Sequence, residues 1–246
     1  LFSSPEHLLN NETFILHLFL YSPKIIQYLM ILGFEDFVLE FRRIYDRGLP
    51  GKPGQAKMRP YMKYGKGLDL PFGSAAKKAS VMALIINKNN LPHLIIIERT
   101  KSDGVHSGQL AFPGGRIEAG ESMIEAAYRE AFEEIGVPTS AIELIGPLTD
   151  IYVLASRFLV YPYIGIITQP FEYKKESREV ENIFEIPLSF FLDEKNIKEK
   201  KIKSKLGISL QAPYYDVESR VLWGATAMMI AELAAMLQQM EYFKSA

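Results

Sequence analysis

"GGRIEAGESMIEAAYREAFEEIGV", residues 114–137, carries six glutamates between Glu118 and Glu134 and has glycines at both ends. Glu130, Glu133 and Glu134 stand at i, i+3 and i+4, the spacing that sets side chains on one face of an α-helix. Ile124, Ala127, Tyr128, Ala131 and Ile135 share the opposite face and suit burial. The pattern predicts a helix over 121–135, stopped by Gly136 and kept from resuming by Pro138. Like charges at this spacing repel by about 0.2–0.5 kcal/mol per pair. Two readings are open: a solvated acidic surface, or one wall of a cation site. Arg129 lies inside the cluster, eight residues after Glu121, where it can fix the orientation of carboxylates. Gly114 and Gly115 let the backbone approach a ligand with no Cβ in the way, so a carbonyl of either can join a metal shell. Magnesium takes such a set: a few carboxylates, a carbonyl, retained water and substrate phosphate.

The chain around this stretch has 246 residues, 48% hydrophobic, with a formal net charge of −1. That suits one globular domain with a sizeable core and room for an extra lobe. The charge balance offers no basic field for nucleic acid and no acidic excess of the kind that keeps chains disordered. There is no cysteine, which excludes disulfides, cysteine-held zinc and thiol catalysis, and fits a reducing cytoplasm. His7, His17, His93 and His106 are scattered without a His-x-x-x-His spacing, so a metal here would be held by oxygen.

Near the N-terminus, "TFILHLFLYSPKIIQYLMILGF" (Thr13–Phe34) is apolar but interrupted by Pro23 and Lys24. The uncharged run before Pro23 is too short to span a bilayer, and Glu6 and Glu12 replace the basic region of a signal peptide. Residues 1–34 are read as an extension, a peripheral helix or disordered lead with no membrane partner. Met30 is expected to be the natural start. Residues 35–77 are read as an amphipathic helix over 35–47 followed by a basic, Pro/Gly-rich, irregular segment over 52–77. Residues 78–246 form the main domain.

That domain opens with two β-branched runs, "ASVMALIIN" (79–87) and "HLIIIERT" (93–100), read as a hairpin around "KNNLP". "QLAFPGG" reads as one short strand with a turn. "IELIGPLTDIYV" and "FLVYPYIGII" follow as strands, and a short helix is expected around Leu188–Leu192. "EKNIKEKKIKSK" reads as an exposed hairpin edge or loop. "SLQAPYYDV" to "SRVLWG" returns to strand, and "ATAMMIAELAAMLQQM" is a strong helix former. The order of elements argues for an α+β fold, a mixed sheet sandwiched between helices.

The opening stretch resembles the Nudix box, G-x5-E-x7-R-E-U-x-E-E-x-G-U with U aliphatic. Gly115, Glu121, Arg129, Glu130, Glu133, Glu134, Gly136 and Val137 fill its fixed positions, with Ala131 at the first U. The resemblance implies the Nudix fold, with an α/β/α arrangement, and hydrolysis of a pyrophosphate assisted by Mg2+ or Mn2+. It implies Glu133 and Glu134 as main metal ligands, Glu130 as ligand or base, and Glu121 and Arg129 as orienting residues. In many members the base lies outside the box. Glu179 and Glu181 in "SREVEN" are the candidates, with Glu179 favoured.

"IIIERTKSDGVHSGQLAFPGG" (95–115) is similar to a further signature, that of Nudix coenzyme A pyrophosphatases. Arg99, Gly108, Phe112, Pro113, Gly114 and Gly115 match at the right spacing. Ile97 and Gly104 depart from it, Gly104 standing where a second arginine is usual. "VYPYIGII", "VENIFEIPLSFFLD" and "RVLWGATAMMIAEL" extend the likeness. It implies cleavage of coenzyme A, or acyl-CoA, to 3′,5′-ADP and (acyl-)4′-phosphopantetheine. Arg99, Lys101, His106, Gly114, Gly115 and Arg116 are the expected substrate contacts, and Lys57 or Arg59 could replace the missing arginine. A homodimer stays open. The other enzymatic reading is a Nudix hydrolase of ADP-ribose, another dinucleotide or a nucleoside triphosphate. A non-catalytic nucleotide-binding module is disfavoured, because every box glutamate is present.

Overall fold

The β-branched runs on either side of Asn89–Asn90 pair in the computed structural model, which describes residues 33–62, 76–101, 108–203 and 209–244. The expectations for Met30, Gly104 and His106 lie outside the described residues. Strands β1 (Lys77–Lys88) and β2 (Leu91–Arg99) meet at a two-residue turn in which Asn89 and Asn90 both adopt positive φ, 53° and 65°. That is the twist a tight hairpin needs, and asparagine tolerates it. The two strands pair only from Lys88↔Leu91 to Ile85↔Leu94. Beyond that they splay, and two short strands fill the gap.

These are β3 (Leu110–Ala111) on β2, with Ile97↔Ala111, and β4 (Gly114–Arg116) on β1, with Val81↔Gly114 and Ser80↔Gly115. "QLAFPGG" is therefore two strands rather than the single one expected. Pro113, having no N–H to donate, makes the crossover, while its carbonyl accepts from the Met82 N–H at 2.9 Å.

Further along lie β5 (Ile142–Pro147), β6 (Ile151–Val153), β7 (Phe158–Ile167) and β8 (Val180–Pro187). β7 runs parallel to β1, β5 and β6 pair antiparallel with β7, and β8 pairs antiparallel with β2. Among the described residues these form one mixed sheet of eight strands, and β9 (Ile197–Lys203), β10 (Ser209–Val217) and β11 (Arg220–Trp223) form a second of three. β9 is the lysine-rich segment, and it is the edge of its sheet, a place where lysines discourage further pairing. Leu188–Phe191 forms the expected short helix as a 3-10 turn.

The helices are α1 (Phe34–Asp46), α2 (Gly51–Gln55), α3 (Met123–Ile135) and α4 (Gly224–Leu237). The alternation along β2 decides where they sit. Leu94 and Ile96 point into a core shared with α1 (Phe37, Phe41, Ile44) and α4 (Ile230, Leu233, Leu237). Ile95 and Ile97 point the other way, onto Ala127, Ala131 and Ile135 of α3. Strand side chains alternate between faces, so one strand serves both layers, and the expected sandwich results. Each fully buried Phe or Ile here stabilises the fold by about 1.5–3 kcal/mol.

The segment from residue 52 is not irregular throughout, as expected; its first part is helical. α2 runs straight into a 3-10 turn, Ala56–Met58. Gln55 and Met58 are buried, and the reason lies in α4. Glu232 on α4 is fully buried and accepts from Gly51 N (3.2 Å), Gln55 Nε2 (2.9 Å), Thr149 Oγ1 (2.6 Å) and Thr149 N (3.3 Å). A buried carboxylate needs such partners, and these pin the short helix down. Among the described residues no helix is long and apolar enough to cross a membrane.

Candidate active site

α3 starts at a capping box: Ser122 Oγ accepts from Glu125 N, and Glu125 Oε2 accepts from Ser122 N at 2.8 Å. It ends at Gly136, whose φ of 78° suits the left-handed cap position. Between these stops the buried stripe is Ala126, Ala127, Ala131, Glu134 and Ile135. One of the three glutamates therefore belongs to the core stripe, which counts against the reading of a wholly solvated acidic surface. Glu134 lies three residues after Ala131 and shares its inward face.

Glu134 is 2% exposed. Its Oε2 accepts from the Gly114 N–H at 2.8 Å. Its Oε1 lies 3.0 Å from Arg99 Nη1, a charge contact too poorly aligned to be a hydrogen bond. Burial pushes this carboxyl up to about 7, against the opposing pull of Arg99 and the Gly114 N–H. Gly114 is required here, since a Cβ on it would meet Ser80 O at 2.4 Å and Val81 Cα at 2.6 Å.

One turn back, Glu130 lies over Gly115. A Cβ at Gly115 would stand 2.3 Å from Glu130 Oε1. Burial also raises the Glu130 carboxyl, and hydrogen bonding to Arg129 offsets part of that. Arg129 gathers the rest of the cluster. Its Nε and Nη2 donate to the two oxygens of Glu121 (2.8 and 3.1 Å), and its Nη1 donates to Glu130 Oε1 and Glu133 Oε2 (both 2.9 Å). Nη2 also reaches the Arg116 carbonyl at 3.1 Å. The Arg129 bond holds Glu121 below the usual carboxylate range. Arg129 is thus hydrogen-bonded to Glu121, Glu130 and Glu133 at once. Glu133 remains half open to solvent.

Arg99 sits at the end of β2, in alternation with Ile95 and Ile97, the residues that face α3. Its Nη1 donates to the Gly114 carbonyl at 3.2 Å, and its Nη2 makes a long contact of 3.5 Å with Glu179 Oε2. The turn holding Glu179 is tied to the site at both ends. Thr100 N donates to Glu179 O (2.9 Å), and Glu176 N donates to Glu134 O (3.0 Å). The charge on Glu179 acts on both Glu130 and Glu134. Glu181 lies elsewhere; its carbonyl accepts from Lys175 Nζ at 2.6 Å, and the residue lines a surface cavity with Lys88 and Tyr173.

Lys101 and Arg116 are exposed cations flanking the Gly114–Gly115 turn in the chain. Lys57 is engaged by Glu194 at 2.7 Å. Not anticipated was Glu98, which accepts from Asn182 Nδ2 (2.7 Å) and Arg220 Nε (3.0 Å), linking β2 to β8 and to the smaller sheet. These residues are far apart in sequence, and no short motif marks them.

Among the described residues no three acidic or imidazole groups converge as a ready ion cage. Arg129 draws Glu130 and Glu133 to itself, and Arg99 stands against Glu134. The donors nevertheless suit a hard divalent cation, being all oxygen. Glu134 Oε1 is buried without a hydrogen bond, and the bare Cα of Gly115 makes room for the Glu130 carboxylate.

The NUDIX domain family matches residues 76–198, and the chain belongs to that family. Its members are hydrolases of pyrophosphate bonds that generally use divalent ions such as Mg2+ or Mn2+. Two bacterial relatives carry the name uncharacterized Nudix hydrolase NudL. That of Enterobacter sp. (strain 638) is 32% identical over 164 residues, covering 64% of this chain and 81% of the relative. That of Shigella boydii serotype 4 is 34% identical over the same length and coverage. Among solved structures, the Nudix hydrolase RenU from M. smegmatis aligns with a TM-score of 0.47 and 14% identity, over 67% of this chain and 88% of that one.

Proposed function

We propose that this Nudix pyrophosphatase hydrolyses the pyrophosphate of coenzyme A, and of acyl-CoA, to 3′,5′-ADP and the corresponding 4′-phosphopantetheine. The observation that carries the reading is the position of Arg99. It is a fixed residue of the coenzyme A signature, and its guanidinium lies at the Glu134–Gly114 centre. Coenzyme A brings a pyrophosphate and a ribose 3′-phosphate, and a planar guanidinium is the side chain best matched to phosphate oxygens.

Glu130, Glu133, Glu134 and the Gly114 carbonyl would hold Mg2+ or Mn2+. Such ions, when bound, neutralise phosphate charge and make bound water more acidic. The side chains do the rest. Arg129 and Glu121 keep Glu130 and Glu133 in register. The buried Gly114 N–H fixes Glu134. Glu179, half exposed and facing Glu130 and Glu134, accepts a proton from the attacking water. The water oxygen bonds to one phosphorus as the bridging P–O bond breaks. Arg99, with Lys101, Arg116 and His106, offers cations to the phosphates, and Gly115 lets them approach the backbone. The absence of cysteine is in keeping with a cytoplasmic setting.

The test is kcat/KM for coenzyme A, 3′-dephospho-CoA and ADP-ribose with Mg2+ present, with the products identified. Coenzyme A is expected to lead. A preference for ADP-ribose of more than about tenfold, or ~1.4 kcal/mol of transition-state stabilisation, overturns the assignment. Gly104, at the position of the signature's second arginine, favours the second reading: a Nudix pyrophosphatase acting on ADP-ribose or another dinucleotide.

A further inference from the structure

The geometry points to Arg99 as an internal stand-in for the divalent cation: it occupies the oxygens of Glu134 and Gly114 and gives them up when the ion binds. This inference rests on the metal-assisted reading above. Three oxygens from three separate segments face one guanidinium: Glu134 Oε1 on α3, the Gly114 carbonyl on β4, and Glu179 Oε2 in the turn before β8. That is the donor set of a hard cation rather than of a single carboxylate partner.

The contacts are also poor ones for an arginine. The guanidinium normally takes a carboxylate through two parallel N–H···O bonds at about 2.7–2.9 Å. Here Glu134 Oε1, although buried, receives no aligned hydrogen bond, and the Glu179 contact is stretched to 3.5 Å. Arg129, by comparison, grips Glu121 with both prongs at 2.8 and 3.1 Å. Arg129 is thus fixed scaffolding, and Arg99 is a loosely held counter-charge.

The role follows from burial. Glu134 is 2% exposed, and an unpaired carboxylate there is costly. Arg99 neutralises it until an ion does so. Its side chain is 27% exposed, so it has a way out. Once released it retains all its N–H donors for substrate phosphate. Arg99 is therefore a positioning residue for the ion site before it is a phosphate contact, and ion and arginine compete.

The competition can be read without substrate. Mn2+ binding to the full chain is measured by calorimetry or electron paramagnetic resonance, alongside the Tm of the protein in chelator. Arg99→Gln is expected to bind Mn2+ about tenfold tighter than wild type, with a lower Tm in chelator. Arg99→Lys, which can reach one oxygen at a time, should fall between the two and carries the test if Arg99→Gln does not fold. Mn2+ affinity that is unchanged or weaker in the variant that folds overturns the inference while leaving the metal-assisted reading intact. No Mn2+ binding to wild type overturns both.

Discussion

Gly115 presents a bare Cα to Glu130, so close that an added Cβ would lie 2.3 Å from Glu130 Oε1 and 2.5 Å from its Cδ. Gly115→Ala must therefore push the Glu130 carboxylate out of its place under Arg129. The obstacle is the end of a side chain, so the fold should survive. Gly114→Ala meets backbone instead, at Ser80 O and Val81 Cα, where nothing can swing aside. Overpacking of that kind costs about 1–3 kcal/mol. Gly115→Ala is expected to lose at least about tenfold in kcat/KM with a small change in Tm, and Gly114→Ala to lose mainly Tm. Steady-state kinetics and thermal unfolding of the pair check this, and a Gly115→Ala enzyme with full activity removes Glu130 from the chemistry.

Glu134→Gln keeps an acceptor for the Gly114 N–H and removes the charge. Circular dichroism should stay as in the wild type. Turnover should fall by about 10³, or ~4 kcal/mol of barrier. Wild-type turnover in this variant would take Glu134 out of the site.

Glu232 serves stability rather than chemistry. Truncation to Ala leaves the donors at Gly51 N, Gln55 Nε2 and Thr149 without their acceptor. Breaking a buried charged network costs about 3–5 kcal/mol. Urea unfolding of Glu232→Ala should show a loss of that order, with kcat/KM near wild type while the protein remains folded. A loss below about 1 kcal/mol would mean the network is not what holds α2 against α4.

Glu185 supplies a pH dependence away from the site. Burial raises its carboxyl, but hydrogen bonds from Lys88 and Tyr173 outweigh that and hold it below 4.5 in the folded chain. A depressed folded value means the unfolded chain takes up the proton first as pH falls. The stabilisation is thus present above about 4.5 and is lost as pH falls through the lower folded value. Wild type should be more stable than Glu185→Gln at pH 7, with the gap shrinking as the pH falls below 4.5. A gap that stays constant in urea unfolding across that range argues against the Lys88–Glu185–Tyr173 cluster.

The box was legible because its residues are local: Glu130, Glu133 and Glu134 share one helix, and Arg129 reaches its neighbour Glu130 and, one turn on, Glu133. The hairpin around Asn89–Asn90 and the helix stop at Gly136 were legible for the same reason. What sequence could not supply was direction across the fold. Periodicity placed Glu134 with its acidic neighbours, yet packing put it in the core beside Ala131, since α3 meets the sheet on a stripe that includes both. The coenzyme A signature marked Arg99 but not its partner 35 residues away in the chain. α2 was hidden by its glycines and proline, because the stabilisation comes from Glu232 on a helix 177 residues later in the chain.

The splayed hairpin has a consequence for descent as well as for catalysis. β3 is zipped to β2 and β4 to β1, so each flank of the Phe112–Pro113 crossover has its own anchor. Arg99, which the proposed function sets against the substrate's phosphates, ends β2 on one side of this frame, and Gly114 opens β4 on the other. With both short strands paired in this way, the glutamates of α3 and the backbone beneath them keep their places independently of Arg99. Under the proposed function, substrate choice and bond-breaking sit on separable parts of one short span of chain, free to evolve at different speeds.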